Sequence, residues 1–486
     1  MRFTRDKKPQ ESAYITRSRE IWEKDILKHL EEYISIPNKS PAYDPEWKRN
    51  GHMDKAVALY IKYAEEQKKY IPGLTVEKIE IEGRTPLIII QAPGTIPEAG
   101  EVLFYGHLDK QPEAGEWREG LDPWKPVREG DRLYGRGASD DGYAMFSALA
   151  SLRILAENKV DRPATTIIIE ASEESGSTDL EAHLKALGDR IGNPDTVICL
   201  DGGAGSYDRM WQETSMRGVV NGTLEVEYLK ESEHSGNSPS PSTERISRIL
   251  LDRIEDKNTG EILIESLNVP IPDNARRAAE EEARTKGDAV FQVDSRIEGT
   301  QPVVSDPVEF ILNHTWKPEL TVTGSSLPFI KDAGNVKHAK TTLKLSMRIP
   351  PGVDPMKAFE DMKAILEHDT PYGAKATFSR AEEPAAGWAS KNPDPAFQKS
   401  VSDASEEIFG KSSASMGGGA TIPFVALFAK LFPDAQFLVT GVLGPESNAH
   451  GPNEFLHVPT AEKLTACNAK IMADKGQRGR ERRRGR

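Results

Sequence analysis

Five short apolar runs, separated by stretches of helical periodicity, constrain the fold of this chain most strongly. The runs are 87–90, 102–105, 166–169, 197–200 and 437–440. Apolar residues recur at helical spacing in the intervening stretches, as at 143–157 and 422–432. A run that is apolar on both faces is typical of a strand in a parallel sheet that helices cover on both sides. We therefore predict an α/β domain with a mostly parallel sheet flanked by helices.

A different pattern occupies the middle of the chain. Alternating strands are predicted at 223–229, 341–349 and 374–379, with helical segments at 243–256 and 354–368. Period-two alternation indicates a sheet with one wet face, so this region is predicted to be an α+β domain. Because the α/β pattern resumes afterwards, we predict an inserted domain. The predicted regions are 1–217 (first segment of the catalytic domain), 218–383 (inserted lid and dimerisation domain), 384–474 (second segment of the catalytic domain) and 475–486 (a basic, disordered tail).

Charge and cysteine content exclude several classes of partner. The net charge is −13, and the last twelve residues are strongly basic, so the rest of the chain is more acidic than that value. Such a body repels phosphate backbones and anionic lipids, so neither nucleic acid nor membrane is expected as a partner of the folded body. The Arg-rich tail is left open as a contact for RNA or an acidic partner. With two cysteines and no long apolar stretch, a cytoplasmic location is predicted.

Acidic and imidazole side chains follow the predicted strands or open a predicted helix. They are His107, Asp140, Glu174, Asp201 and His450. Groups at the carboxyl ends of parallel strands converge on one edge of a sheet. Imidazole and carboxylate are the ligands that catalytic zinc accepts, with one position left for water. The sequence therefore predicts a site for two divalent metal ions, Zn²⁺ in the first place, with Mn²⁺ or Co²⁺ as alternatives.

The predicted ligand set also indicates a reaction. Three carboxylates and two neutral imidazoles leave two Zn²⁺ ions with one formal positive charge, so a bridging hydroxide would bring the site to neutrality. Glu173 is the candidate general base for the proton of that water. Asp109, two residues after His107, is predicted to accept the second N–H of the imidazole and to fix its tautomer.

Several sequence blocks resemble the M20 metallopeptidase family, and most closely its dipeptidase branch, which includes the cytosolic non-specific and carnosine dipeptidases. The blocks are LFYGHLDKQPE (103–113), DPWKP (122–126), RLYGRGASDDG (132–142), EASEESGS (170–177), VICLDGG (197–203), EHSG (233–236), SMRIPPG (346–352) and AHGPNE (449–454).

The resemblance implies a role for each candidate residue. His107 and Asp201 would bind one zinc, Glu174 and His450 the other, and Asp140 would bridge them. Glu173 would be the general base, with Asp109 behind His107. The inserted domain would act as lid and dimer contact. Its His234 would reach the active site of the partner in a homodimer and stabilise the oxyanion, and Arg348 would bind the substrate carboxylate.

The chain departs from the family pattern at two places. The usual Asp-Asp-Lys-Gly is here Asp140-Asp141-Gly142-Tyr143, without the lysine. The usual Arg-Glu-Gly-Gly-Ser-Ile-Pro is here 417–423, GGGATIP, without either charged residue. Backbone N–H groups around Gly419 and the hydroxyl of Thr421 are the predicted replacements for binding the substrate carboxylate.

Hydrolysis of the amide bond of dipeptides or small amino-acid amides is the predicted function, with a small peptide as substrate. An N-acyl-amino-acid deacylase or a carboxypeptidase of the same fold is the alternative. A catalytically silent binding protein is disfavoured, because the complete ligand set and the candidate base are present.

Overall fold

The computed structural model describes residues 11–292, 296–297, 299–391 and 394–485. The helices in these ranges are α1 (Ala13–Ile21), α2 (Leu27–Ile34), α3 (Trp47–Asn50), α4 (His52–Gln67), α5 (Ala144–Glu157), α6 (Leu180–Leu187), α7 (Thr243–Leu251), α8 (Asp273–Lys286), α9 (Pro307–Thr315), α10 (Pro355–Glu367), α11 (Pro395–Phe409), α12 (Pro423–Leu431) and α13 (Val458–Arg484). No helix among them combines the length and apolar character needed to cross a bilayer.

The strands in the described residues include the predicted runs. They are β1 (Thr75–Ile79), β2 (Leu87–Ala92), β3 (Glu101–His107), β4 (Val127–Glu129), β5 (Arg132–Tyr134), β6 (Ala164–Glu170), β7 (Thr196–Cys199), β8 (Trp211–Met216), β9 (Gly218–Glu227), β10 (Glu233–His234), β11 (Glu319–Ser325), β12 (Val336–Lys337), β13 (Lys340–Ile349), β14 (Lys375–Arg380), β15 (Trp388–Ala389), β16 (Ala414–Gly418), β17 (Gln436–Val439) and β18 (Phe455–His457).

Two compact units make up the chain. Unit 1 comprises Met1–Glu213, Lys391–Ser415 and Leu427–Arg486, and unit 2 comprises Thr214–Ser390 and Met416–Ala426. The predicted insertion at 218–383 thus lies inside unit 2. The segment 416–426, which is predicted in the second catalytic segment, groups with unit 2 instead. It does so because Arg217 donates from Nε to the carbonyl of Gly419 (3.2 Å), and the hydroxyl of Thr421 donates to the carbonyl of Arg217.

The central sheet of unit 1 runs in the order β1-β2-β6-β3-β7-β17. Strands β6, β3, β7 and β17 are parallel, and β1 and β2 are added antiparallel at one edge. Each central strand is buried along most of its length, as expected for a sheet that is covered on both faces. Helices α1, α2, α4, α5, α11 and α13 contribute side chains to the main apolar core beside this sheet. The predicted α/β class is confirmed.

Unit 2 contains an antiparallel sheet in the order β11-β13-β9-β14. Strand β9 alternates between buried and half-buried residues throughout, so one face is apolar. Helices α7 and α10 pack on that face, and their buried side chains share one core with β9 and β13. This is the α+β arrangement that the alternating pattern predicted.

The basic C-terminal segment is not disordered over the described residues 475–485, so the prediction of a disordered tail is wrong there. Helix α13 continues through Arg484. Gly476 and Gly479 let the helix approach backbone closely: a Cβ at Gly476 would overlap the carbonyl oxygen of Asp161, and one at Gly479 would lie 2.6 Å from the nitrogen of Ala99. The Nε of Arg480 also donates to the Asp161 carboxylate at 2.7 Å. Close packing and an ion pair therefore order this end.

Candidate metal centre

The predicted metal ligands lie where the strands and loops of unit 1 end. His107 is the last residue of β3, Glu174 lies four residues after β6, and Asp201 lies two residues after β7. Asp140 lies in the loop before α5, and His450 lies in the loop between β17 and β18. Because the three strands are parallel neighbours, their ends meet at the same edge of the sheet.

Two groups of three side chains result, and they share one carboxylate. His107, Asp140 and Asp201 form the first group, and Asp140, Glu174 and His450 form the second. Nε2 of His107 lies 3.1 Å from Oδ1 of Asp140 and 3.8 Å from Oδ1 of Asp201. Nε2 of His450 lies 3.0 Å from Oδ2 of Asp140 and 3.2 Å from Oε2 of Glu174. The two oxygens of Asp140 thus face different groups.

These separations fit divalent cations. Ligand atoms about 2.0–2.2 Å from a tetrahedral zinc lie about 3.3 Å from one another, close to the observed distances. Four of the five side chains are buried, whereas the side chain of His450 is 58% exposed. An exposed ligand on one side gives solvent and small molecules a route to the group, which a catalytic centre requires.

The electrostatics of the two groups also favour cations. Burial raises the pKa of Asp201 and Glu174, and Asp140 raises both further. Burial opposes protonation of His450, yet Asp140 and Glu174 raise its pKa to about 12. The clustered carboxylates thus favour a proton on His107 and His450, whereas these imidazoles lower the pKa of Asp140. A divalent ion in each group would be attracted by the same carboxylates and leave the imidazoles free to bind it.

Asp109 contacts the Glu173–Glu174 turn as well as His107. Nδ1 of His107 lies 3.1 Å from the Asp109 backbone carbonyl and 3.5 Å from its carboxylate, so the backbone carbonyl, and not the predicted side chain, is the nearer acceptor for an imidazole N–H. The two carboxylate oxygens accept the backbone N–H groups of Glu173 and Glu174, each at 3.1 Å. One buried aspartate therefore orients a ligand on β3 and the Glu-Glu turn after β6.

Glu173 lies beside the candidate metal ligands and belongs to neither group of three. It is half-buried at the start of a 3-10 turn, Glu173–Ser175, and burial raises the pKa of its carboxyl. A carboxyl with a raised pKa can hold a proton between two transfer steps. Its neighbour Glu174 is held by the side-chain amide of Gln111, which donates to Oε2.

His234 lies in unit 2 on an exposed two-residue strand, paired with Val336 of β12. The backbone N–H of Gly236 lies 3.1 Å from Nδ1 of the imidazole. A nitrogen that accepts a hydrogen bond carries no proton, so the neutral ring bears its proton on Nε2. His234 is thereby prepared to donate a hydrogen bond from Nε2.

Arg348 and Thr421 are neighbours within unit 2. Nη1 of Arg348, on β13, lies 3.2 Å from the hydroxyl of Thr421. Burial lowers the pKa of this guanidinium, and Glu319, its partner in the β11–β13 register, opposes that effect. A partly desolvated arginine with spare donors suits recognition of a carboxylate.

Steric contacts explain why glycine occupies positions 417 and 419. A Cβ at Gly419 would lie 2.6 Å from Cε1 of His314, and one at Gly417 would lie 2.6 Å from Cβ of Thr315, both at the end of α9. The N–H of Gly417 meets the buried carboxylate of Glu282. Helix α9 therefore fills the space beside this loop.

The missing lysine after the bridging aspartate also has a structural reason. A Cβ at Gly142 would overlap Cε1 of Tyr33 and the carbonyl oxygen of Gly137. A different buried lysine is present nearby. Nζ of Lys110 lies 3.9 Å from the centre of the Tyr33 ring and donates to the carbonyls of Tyr33 and Ile36, both at 2.7 Å.

Comparisons with known proteins agree with this architecture. The chain is 26% identical over 406 residues to the cysteinylglycine-S-conjugate dipeptidase of Corynebacterium striatum, covering 80% of this chain and 84% of the relative. It is 27% identical over 402 residues to the beta-Ala-His dipeptidase of Homo sapiens, covering 76% and 73%.

Solved structures share the fold over most of the chain. The crystal structure of human carnosine dipeptidase 1 matches with a TM-score of 0.77 and 20% identity, covering 96% of this chain and 100% of that one. The model of peptidase family M20/M25/M40 matches residues 103–474. Since that match takes in well over half of the sequence, the chain belongs to peptidase family M20/M25/M40 and is a metallopeptidase.

Proposed function

We propose that this protein hydrolyses the amide bond of dipeptides or similarly small amino-acid amides with two divalent metal ions. The observation that carries the proposal is the pair of His and carboxylate groups that share Asp140. Relatives named as dipeptidases support the substrate class. Zn²⁺ is the proposed metal, with Mn²⁺ or Co²⁺ as alternatives, since all three accept these ligands.

Each residue has a proposed role. His107 and Asp201 would hold one ion, Glu174 and His450 the other, and Asp140 both. Ions held there would lower the pKa of a bound water and polarise the substrate carbonyl, and a hydroxide shared by the pair is the proposed nucleophile. Glu173 would take the proton from that water and deliver it to the leaving nitrogen.

A substrate panel tests this function. Dipeptides should be hydrolysed after metal loading, and N-acetyl and N-succinyl amino acids should be poor substrates. Product analysis by mass spectrometry identifies the bond that is cleaved. Exclusive cleavage of acylated amino acids would replace the proposal with a deacylase, and release of single C-terminal residues from longer peptides would replace it with a carboxypeptidase.

We propose that Arg348 binds the free carboxylate of the substrate, with Thr421 and the backbone at Gly419 beside it. Arg348→Ala should raise KM for a free dipeptide about 10- to 100-fold, the value of a charge-assisted hydrogen bond. The same variant should change KM for the C-terminally amidated dipeptide much less. Lys344→Ala, which removes an exposed cation from the same strand, is the matched control. Equal effects on both substrates would contradict this role.

We propose a homodimer in which the inserted domain supplies the contact. In unit 2, Phe329 is 79% exposed, Ile330 is 95% exposed and Val336, opposite His234 in the β10–β12 pair, is 44% exposed. Exposed apolar groups of this kind mark interaction surfaces. A second copy is the proposed occupant, with His234 of each copy donating to the oxyanion at the other copy's centre.

We also propose a cytoplasmic location, since a reducing compartment maintains buried free thiols such as Cys199 and Cys467.

Complementation tests the action of His234 in trans. His234→Ala and Glu173→Gln should each be nearly inactive alone. Co-expressed, they should regain about a quarter of wild-type activity, because half of the dimers are mixed and each holds one complete site. No recovery in a proven mixed dimer, or a fully active monomer in light scattering, would contradict the proposal.

A further inference from the structure

Glu454, which the ligand set does not include, has an unusual environment in unit 1. Its side chain is completely buried. Its Oε1 accepts from the N–H and hydroxyl of Ser139, at 3.1 and 3.0 Å, and from the N–H of Asp140, at 3.2 Å. Its Oε2 accepts from the N–H of Gly137 at 3.0 Å and from Arg136 at 2.7 Å. The carboxylate therefore organises the whole loop that carries the shared ligand.

Arg136 extends this arrangement to two further segments. Its guanidinium is 1% exposed and donates from Nη1 to Glu454, from Nη2 to the carbonyl of Gly451 at 2.6 Å, and from Nε to the carbonyl of Pro112 at 3.0 Å. Gly451 directly follows His450, and Pro112 directly follows Gln111, which holds Glu174. Arg136 thus links the backbone beside the candidate ligand His450 to the backbone beside Gln111, whose side chain binds Glu174.

The segment that carries His450 needs such support. Glu446, Asn448, His450 and Asn453 all have positive φ values, between 54° and 65°. Non-glycine residues adopt this conformation at a cost of about 1 kcal/mol or more each, and they keep it only where the surroundings impose it. The Arg136 bond to Gly451 and the 2.7 Å bond from the N–H of Arg118 to the side chain of Asn453 are two such restraints.

We propose that the Arg136–Glu454 pair is a latch that positions Asp140 and His450 together and thereby sets the affinity of the centre for divalent cations. Both are positioning residues, because they act through the ligands and not on the substrate. This rests on the proposed two-metal function. The latch itself is defined by contacts of the protein alone, so it can be tested without metal.

Glu454→Gln is the principal variant. The amide keeps the shape of the carboxylate but presents an NH₂ group to N–H donors, and it leaves Arg136 without its counter-charge. Affinity for Zn²⁺, measured by competition with a zinc-chelating dye, should fall about 10- to 100-fold, the usual effect of removing a partner of metal ligands. In the metal-free protein, amides at 446–453 should exchange hydrogen faster than in the wild type.

Two further variants separate positioning from stability. Arg136→Lys keeps the positive charge but cannot make the three hydrogen bonds of the guanidinium, so it should also weaken Zn²⁺ binding. This variant replaces Glu454→Gln if that protein does not fold. The double variant Arg136→Met, Glu454→Gln removes the unpaired buried charge. It should recover thermal stability relative to Glu454→Gln without recovering Zn²⁺ affinity.

Asp25→Asn is the control, because it breaks a partly buried ion pair of unit 1, Asp25 with Arg153 at 2.9 Å, and neither residue is a proposed ligand. It should lower stability and leave Zn²⁺ affinity and exchange at 446–453 unchanged. The latch is refuted if Glu454→Gln binds Zn²⁺ as wild type does with unaltered exchange, or if the double variant regains full affinity. A wild-type protein that binds no Zn²⁺ would refute the proposed function, while the exchange data would still decide on the latch.

Discussion

Glu173→Gln is expected to lower kcat for a dipeptide by about 10²- to 10⁴-fold, the usual contribution of a positioned acid–base group. The amide cannot accept the proton of water or return one to the leaving nitrogen. Metal content should stay near the wild-type value, because Glu173 belongs to neither ligand group. Steady-state kinetics together with metal analysis of the same preparation measures both quantities.

A control for this variant is Glu181→Gln, on the exposed face of α6, where the carboxylate pairs with Lys185 in an i,i+4 bridge. Its kcat should equal that of the wild type. If Glu173→Gln keeps wild-type turnover, another group moves the proton and the assignment of the base is wrong. If turnover and metal are lost together, Glu173 contributes to holding the ions.

The number of ions lost when a single proposed ligand is replaced should depend on whether that residue is shared by both groups. Asp140→Ala should abolish binding of both ions and all hydrolysis, since its two oxygens face different groups. Asp201→Ala should weaken one ion only, by more than about 100-fold, exceeding the effect of an indirect partner. Isothermal titration of the metal-free variants with Zn²⁺ gives the number of sites in each case.

The complementary variant is Glu174→Ala, which should also leave one ion bound, in the group of His107 and Asp201. Asp179→Ala is a suitable control, because Asp179 follows the Glu-Glu turn closely but bonds Thr85 and Arg84. Equal losses in Asp140→Ala and Asp201→Ala would contradict a carboxylate shared by two ions.

The sequence was sufficient to predict the sheet and the convergence of the candidate ligand side chains. Runs that are apolar on both faces can be stable only as covered strands, and His107, Glu174 and Asp201 each follow such a run. The position of a residue at a strand end is fixed by chain connectivity, so it can be inferred without knowing any side-chain contact.

Contacts between distant segments could not be predicted in the same way. Glu454 is an ordinary loop glutamate in the sequence, and only the fold brings it to Arg136, 318 residues away. The carboxylate of Asp109 was predicted to serve His107, whereas both of its oxygens accept backbone N–H groups of the Glu-Glu turn. Residue type does not reveal which distant backbone N–H groups a carboxylate accepts.

The error at the C-terminus has a different origin. A run of arginines indicates a solvated chain when only charge is considered. Gly476 and Gly479, three residues apart, lie against the backbone near Asp161 and Ala99, and small residues at that spacing allow close helix packing. At Gly417 and Gly419, the sequence showed only that the charged residues of the family pattern are absent. The structure shows that Thr315 and His314 leave no room for side chains at these positions.

Anomalous diffraction from crystals grown with Zn²⁺, recorded on both sides of the zinc absorption edge, tests the central claim most directly. Two zinc peaks are predicted, one touching His107 and Asp201, the other touching Glu174 and His450, with Asp140 between them. A single peak, or peaks away from these five side chains, would contradict the account of a two-metal centre.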